Sequence, residues 1–138
     1  MSTVRISKDA WATMLAHARE AYPEECCGAM LGAEGDVREA MPLENSYAGP
    51  RGTRYEIRPE KLLRATREAR DRGLRLVGIY HSHPDRDAYF SETDLRNSCP
   101  WYSFLVLSIK DGSFDHAACW RPNAEQSEAA KVDLELPL

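Results

Sequence analysis

Two histidines one residue apart, His81 and His83, precede a proline, an acidic loop and the tetrapeptide Ser91-Glu92-Thr93-Asp94 in the stretch HSHPDRDAYFSETD. On a strand, side chains two residues apart point to the same side with Cα atoms about 6.5 to 7 Å apart, a span that two imidazoles can close around one metal ion. Zinc accepts neutral imidazole nitrogens at about 2.0 to 2.1 Å and carboxylate oxygens at similar length, and its catalytic sites keep three protein ligands and one open position. Asp94 is available as the third ligand, and a helix start there favours the ionised carboxylate that a metal requires. A second reading stands beside this one. S-x-x-D is also a helix N-cap with an acidic third position, and His-x-His is also a polar strand end facing solvent.

Hydrolysis at such a site needs a base. The first acids upstream of an apolar strand are Glu24 and Glu25 in YPEECCG. They read either as solvated turn carboxylates or as a pair of which one takes a proton from water during attack and passes it to the leaving amine. His17 and His116 have no comparable partners and read as a helix-surface and a strand residue. Cys26, Cys27, Cys99 and Cys119 read as thiols, because adjacent cysteines chelate one zinc poorly and no C-x-x-C is present.

The elements that would position these residues follow from periodicity. Ser7 followed by Trp11, Met14, Leu15, Ala18 and Tyr22 predicts an amphipathic helix ending before Pro23. Gly28 to Gly32 is a short apolar run that predicts a buried strand, paired with DVREAM across a turn at Gly35-Asp36. ENSYAGPRGT is loop, RYEI is extended, and Pro59 and Gly73 frame a second helix with Leu62, Leu63, Ala65, Thr66 and Ala69 on its inner face. LRLVGIYHSH is a strand that turns polar at its end, where Pro84 stops it. A third helix starts at Ser91, and SFLVLSI and DHAACW are strands joined at Lys110-Asp111-Gly112. Strands and helices interspersed without strict βαβ repetition predict an α+β (mixed α/β) fold, a mixed sheet flanked by helices.

The chain has 138 residues, 43% hydrophobic and 29% charged, which fits one globular domain over 1–138 and excludes a disordered or fibrous chain. A net charge of -4, with the basic residues of LLRATREARDRG mixed with acids, argues against nucleic acid as a partner. No apolar run reaches signal-peptide or membrane-spanning length, so a cytoplasmic protein without a membrane partner is expected.

The quoted residues resemble the JAMM (MPN-plus, JAB1/MPN/Mov34) zinc metalloprotease family, in its short prokaryotic form. That signature is an upstream Glu, then H-[ST]-H-P, seven residues between the second His and a Ser, two more residues and an Asp. Here it is met by Glu25, His81-Ser82-His83-Pro84, Ser91 and Asp94. YPEECCG is similar to the family's P-x-E-x-C-G pattern and so selects Glu25 over Glu24. The similarity extends through ENSYAGPRGTRYEIRP and GIYHSHP and leaves only AEQSEAAKVDLELPL without a signature.

The resemblance implies a curved mixed sheet flanked by helices and one zinc ion per chain held by His81, His83 and Asp94. It also implies Glu25 as base and Ser91 as donor to the oxyanion. Zinc lowers the pKa of its water to about 7, and a hydroxyl beside it stabilises developing negative charge. Ser82 and Thr93 are then supporting residues, and Tyr89 and Phe90 line a substrate groove. The implied activity is cleavage of an amide or isopeptide bond at the C-terminal tail of a ubiquitin-like or sulfur-carrier β-grasp protein, admitted as an added strand. Two other classes compete. A metal-free MPN-type scaffold is disfavoured because every motif residue is present, and a zinc hydrolase of small amides lacks the H-x-E and P-C-x-x-C pattern of nucleoside deaminases.

Overall fold

The computed structural model describes residues 3–137. Strand β1 (Thr3–Ile6) leads into helix α1 (Lys8–Ala21), followed by the hairpin β2 (Cys27–Ala33) and β3 (Asp36–Leu43). After a long loop come helix α2 (Pro59–Asp71), strand β4 (Arg75–Pro84) and the short helix α3 (Glu92–Arg96). Strands β5 (Ser103–Lys110), β6 (Ser113–Pro122) and β7 (Ala129–Glu135) complete the order.

Local chemistry explains most of these boundaries. The Ser7 hydroxyl accepts from Ala10 N at 3.1 Å and caps α1, whose Ala10, Met14 and Ala18 are buried at helical spacing. Pro59 opens α2, and its buried Ala65 and Ala69 pack on Ala29 and Leu31 of β2. Asp111 and Gly112, both at positive φ, make the two-residue turn between β5 and β6. The turn joining β2 to β3 is Glu34-Gly35, one residue earlier than the sequence suggests.

The strands form a mixed sheet curved far enough to close, in the order β1-β3-β2-β4-β5-β6-β7. Pairings β1–β3, β1–β7 and β4–β5 are parallel and the rest antiparallel. Closure relies on β1 and on β7, which lies within the C-terminal stretch that carries no signature. Arg54–Ile57, expected to be extended, joins no ladder and is instead gathered by Asn45, whose side chain donates to Arg54 O at 3.1 Å and accepts from Glu56 N at 3.2 Å.

The core is built around Met30, Leu105, Leu107 and Ile109, each fully buried, and each such side chain contributes roughly 1.5 to 3 kcal/mol relative to exposure. His17 is not a simple surface residue. It is half-buried with its Nδ1 2.8 Å from the Tyr80 hydroxyl, and burial lowers its pKa while Glu20 raises it. Among the described residues, no helix is long and apolar enough to cross a membrane.

Candidate active site

Strand β4 carries His81 and His83 to its C-terminal end with both rings fully buried on one side of the sheet. Asp94 enters from the first turn of α3. The three side chains meet at Nε2, Nε2 and Oδ2: His81 to His83 is 3.3 Å, His81 to Asp94 is 3.2 Å, and His83 to Asp94 is 3.1 Å. Among the described residues this is the one group of three or more His, Cys, Asp or Glu side chains close enough to hold a metal ion.

The donor set fits zinc. Ligand atoms around a tetrahedral ion with bonds of about 2.0 to 2.1 Å stand about 3.3 Å apart, which is the spacing seen. The tautomer fits as well: His83 Nδ1 lies 2.8 Å from the Asp87 carbonyl, which can only accept, so the proton sits on Nδ1 and Nε2 presents a lone pair. His81 Nδ1 is buried without a partner, and the Tyr55 ring stacks on the His81 ring at 4.6 Å, closing one face.

Asp94 Oδ2 also accepts from Ser91 N at 3.1 Å, while Asp94 N donates to Ser91 Oγ at 3.0 Å. The capping box and the His81-His83-Asp94 group that could hold a metal ion therefore share one carboxylate. Burial works against ionising Asp94, but the two imidazoles outweigh it and hold the carboxyl well below the usual range. Burial likewise disfavours the charged form of His81, and Asp94 overcomes it to raise the pKa.

Glu25 and Glu24 separate cleanly. Glu24 is exposed, whereas Glu25 is 2% exposed. The β2–β4 ladder pairs Cys27 with His81, and Ser82 continues it by donating N–H to Cys26 O at 3.1 Å and accepting Cys26 N at Oγ at 2.8 Å. One step further along this register, Glu25 lies opposite His83, on the face of the histidines. The long loop anchors its backbone, since Glu25 N donates to Arg51 O at 2.7 Å and Asn45 Nδ2 donates to Glu25 O at 3.0 Å. Burial pushes the Glu25 carboxyl up, His81, His83 and Arg86 pull it part of the way back, and the net shift is upward.

Arg86 is a site residue that sequence reasoning missed. Its guanidinium donates to Glu25 Oε2 at 2.6 Å, leaving Glu25 Oε1 buried and unpartnered. Its place in a charged loop, PDRDA, gave no periodic signal. Tyr89 stands exposed beside His83 with ring centroids 5.0 Å apart. Phe90 does not, because it packs between Phe104 and Trp120. Tyr55 also lines a cavity of about 630 Å3 whose walls mix Ile57, Leu62, Ile79 and Phe104 with Glu56, Arg58 and Asn97.

The family model described as prokaryotic homologs of the JAB domain matches residues 7–122. The chain is 37% identical over 115 residues to a desampylase of Haloferax volcanii, covering 78% of this chain and 81% of the relative. It is 35% identical over 101 residues to a CysO-cysteine peptidase of Mycobacterium tuberculosis, covering 71% of this chain and 68% of the relative. The solution structure of a protein from Desulfitobacterium hafniense superposes with a TM-score of 0.83 at 27% identity, over 97% of this chain and 92% of that one.

Proposed function

Because this chain belongs to the prokaryotic homologs of the JAB domain, we propose that it is a zinc-dependent hydrolase cutting an amide bond at the C-terminal tail of a ubiquitin-like or sulfur-carrier β-grasp protein. The observation that carries the reading is the convergence of His81, His83 and Asp94 at 3.1 to 3.3 Å on the sheet face that also bears the buried Glu25.

His81, His83 and Asp94 would hold the ion, one per chain. Zinc, when bound, supplies a Lewis acid toward the scissile carbonyl and toward a water. Glu25 takes a proton from the attacking water as the new C–O bond forms, then delivers it to the leaving nitrogen as the C–N bond breaks. Its unpartnered Oε1 is the oxygen free for this transfer, while Arg86 holds Oε2. The Ser91 hydroxyl, whose lone pair caps α3, has its proton free to donate to the carbonyl oxygen as negative charge develops. Tyr55, stacked on His81, also lines the neighbouring cavity, which offers room for part of a peptide tail.

The test uses a β-grasp protein extended beyond its Gly-Gly end, either by a peptide or by linkage to a lysine. Mass spectrometry should find the extension removed, with cleavage abolished by chelation and restored by zinc. Binding of the β-grasp protein without cleavage, unaffected by chelation, would instead support the scaffold reading.

A further inference from the structure

One peptide unit, Asp87–Ala88, lies between His83 and a second histidine on a different strand. Its carbonyl accepts from His83 Nδ1 at 2.8 Å, and its N–H donates to His116 Nε2 at 3.0 Å. A backbone amide can only donate and a carbonyl can only accept, so this unit dictates both tautomers. His83 must carry its proton on Nδ1. His116 must present a bare Nε2 and carry its proton on Nδ1, where Asp115 Oδ2 accepts it at 2.7 Å.

We infer that His116 is a positioning residue for the metal centre: through the Asp87–Ala88 peptide it orients and polarises His83, the ligand on which the proposed function rests. The chain runs Asp115 carboxylate, His116 ring, Ala88 N–H, Asp87 C=O, His83 ring. Each hydrogen bond polarises the next, which increases the basicity of the His83 Nε2 facing the ion. Other bonds hold the loop as a whole, namely Trp120 Nε1 to Ala88 O at 3.1 Å, Ser108 Oγ to Arg86 O at 2.6 Å and Lys110 to Asp87 at 2.6 Å. Loss of His116 should therefore release the tilt of one peptide and leave the loop in place. His116 is partly exposed on β6 and reaches the site only through backbone.

The test compares wild type, His116→Leu and His116→Gln in zinc affinity, by competition with a chromophoric chelator, and in protection of the Ala88 amide from hydrogen exchange in the metal-free protein. The leucine variant should bind zinc about 10-fold to 100-fold more weakly and lose Ala88 protection, while glutamine, whose amide oxygen sits where Nε2 was, should recover both. Wild-type affinity in His116→Leu, or a glutamine variant as weak as leucine, overturns the inference while leaving the ligand set standing. A wild-type protein that binds no zinc overturns the ligand reading itself. Should the leucine variant fail to fold, His116→Asn, whose shorter side chain withdraws the acceptor from the Ala88 N–H, takes its place, and zinc affinity unchanged in that variant also overturns the inference.

Discussion

Arg86 and Glu25, 61 positions apart in the chain, form an ion pair of 2.6 Å in which the carboxylate is 1% and the guanidinium 27% exposed. Burial raises the Glu25 carboxyl and Arg86 opposes that rise. A base works only when deprotonated, so activity is present above its pKa and is lost as pH falls through it. The acid limb of kcat/KM should thus lie above that of a solvated glutamate. Removing the cation by Arg86→Gln raises the pKa further and should move the limb to still higher pH. An acid limb that stays put, or moves down, would show that Arg86 does not act on the base.

Glu25→Gln should retain zinc and lose roughly 100-fold to 10,000-fold in turnover or more, the usual worth of a general base. Glu24→Ala, a change at an exposed carboxylate, should be mild. Zinc content and kcat measured on both variants decide the assignment, and a dead Glu24 variant would refute it.

Ser91→Ala separates two roles of one hydroxyl. As the cap that accepts Asp94 N at 3.0 Å, its loss should lower stability by about 0.5 to 2 kcal/mol. As an oxyanion donor, its loss should lower transition-state binding by about 2.7 to 4 kcal/mol. Thermal melts read the first and cleavage rates the second. Earlier melting with a normal rate leaves Ser91 as a cap alone.

The four cysteines are free thiols, three of them buried and Cys99 partly exposed. Burial pushes Cys26 up to about 11 and Cys119 up to about 12, and raises Cys27 as well. Burial raises Cys99 too, but it is the thiol open to solvent, so a thiol reagent at pH 8 should modify only Cys99 in the native protein and all four in denaturant. Rapid modification of Cys26 or Cys27 in the folded state would contradict the burial.

Gly78→Ala should destabilise by several kcal/mol. A Cβ at Gly78 would meet the Ser103 carbonyl oxygen at 2.3 Å, and backbone in the β4–β5 pairing cannot give way as a flexible side chain would. Chemical denaturation measures the loss, and a variant as stable as wild type would mean that β4 and β5 can separate at that point.

The His-x-His pair, the Ser91–Asp94 cap, the Asp111–Gly112 turn and helices α1 and α2 were legible in the sequence, because each depends on residues within a turn or two of one another. Spacing along one strand sets which way two side chains point, and a cap needs only the residue three positions on. The motif selected Glu25, which is the buried member of its pair, and its backbone is held by Arg51 and Asn45 of the long loop. The rest came from contacts between distant segments. Closure of the sheet by β1 and β7 joins the two ends of the chain in pairs that no local periodicity encodes. Arg86 reaches Glu25, and His116 reaches the Ala88 amide 28 positions away, only because β2, β4, β5 and β6 are neighbours in one sheet. The sequence by itself marked out the side chains proposed to hold a metal and carry a proton; the tertiary structure decided which groups orient them, since hydrogen-bond partners far apart in the chain are specified by packing alone.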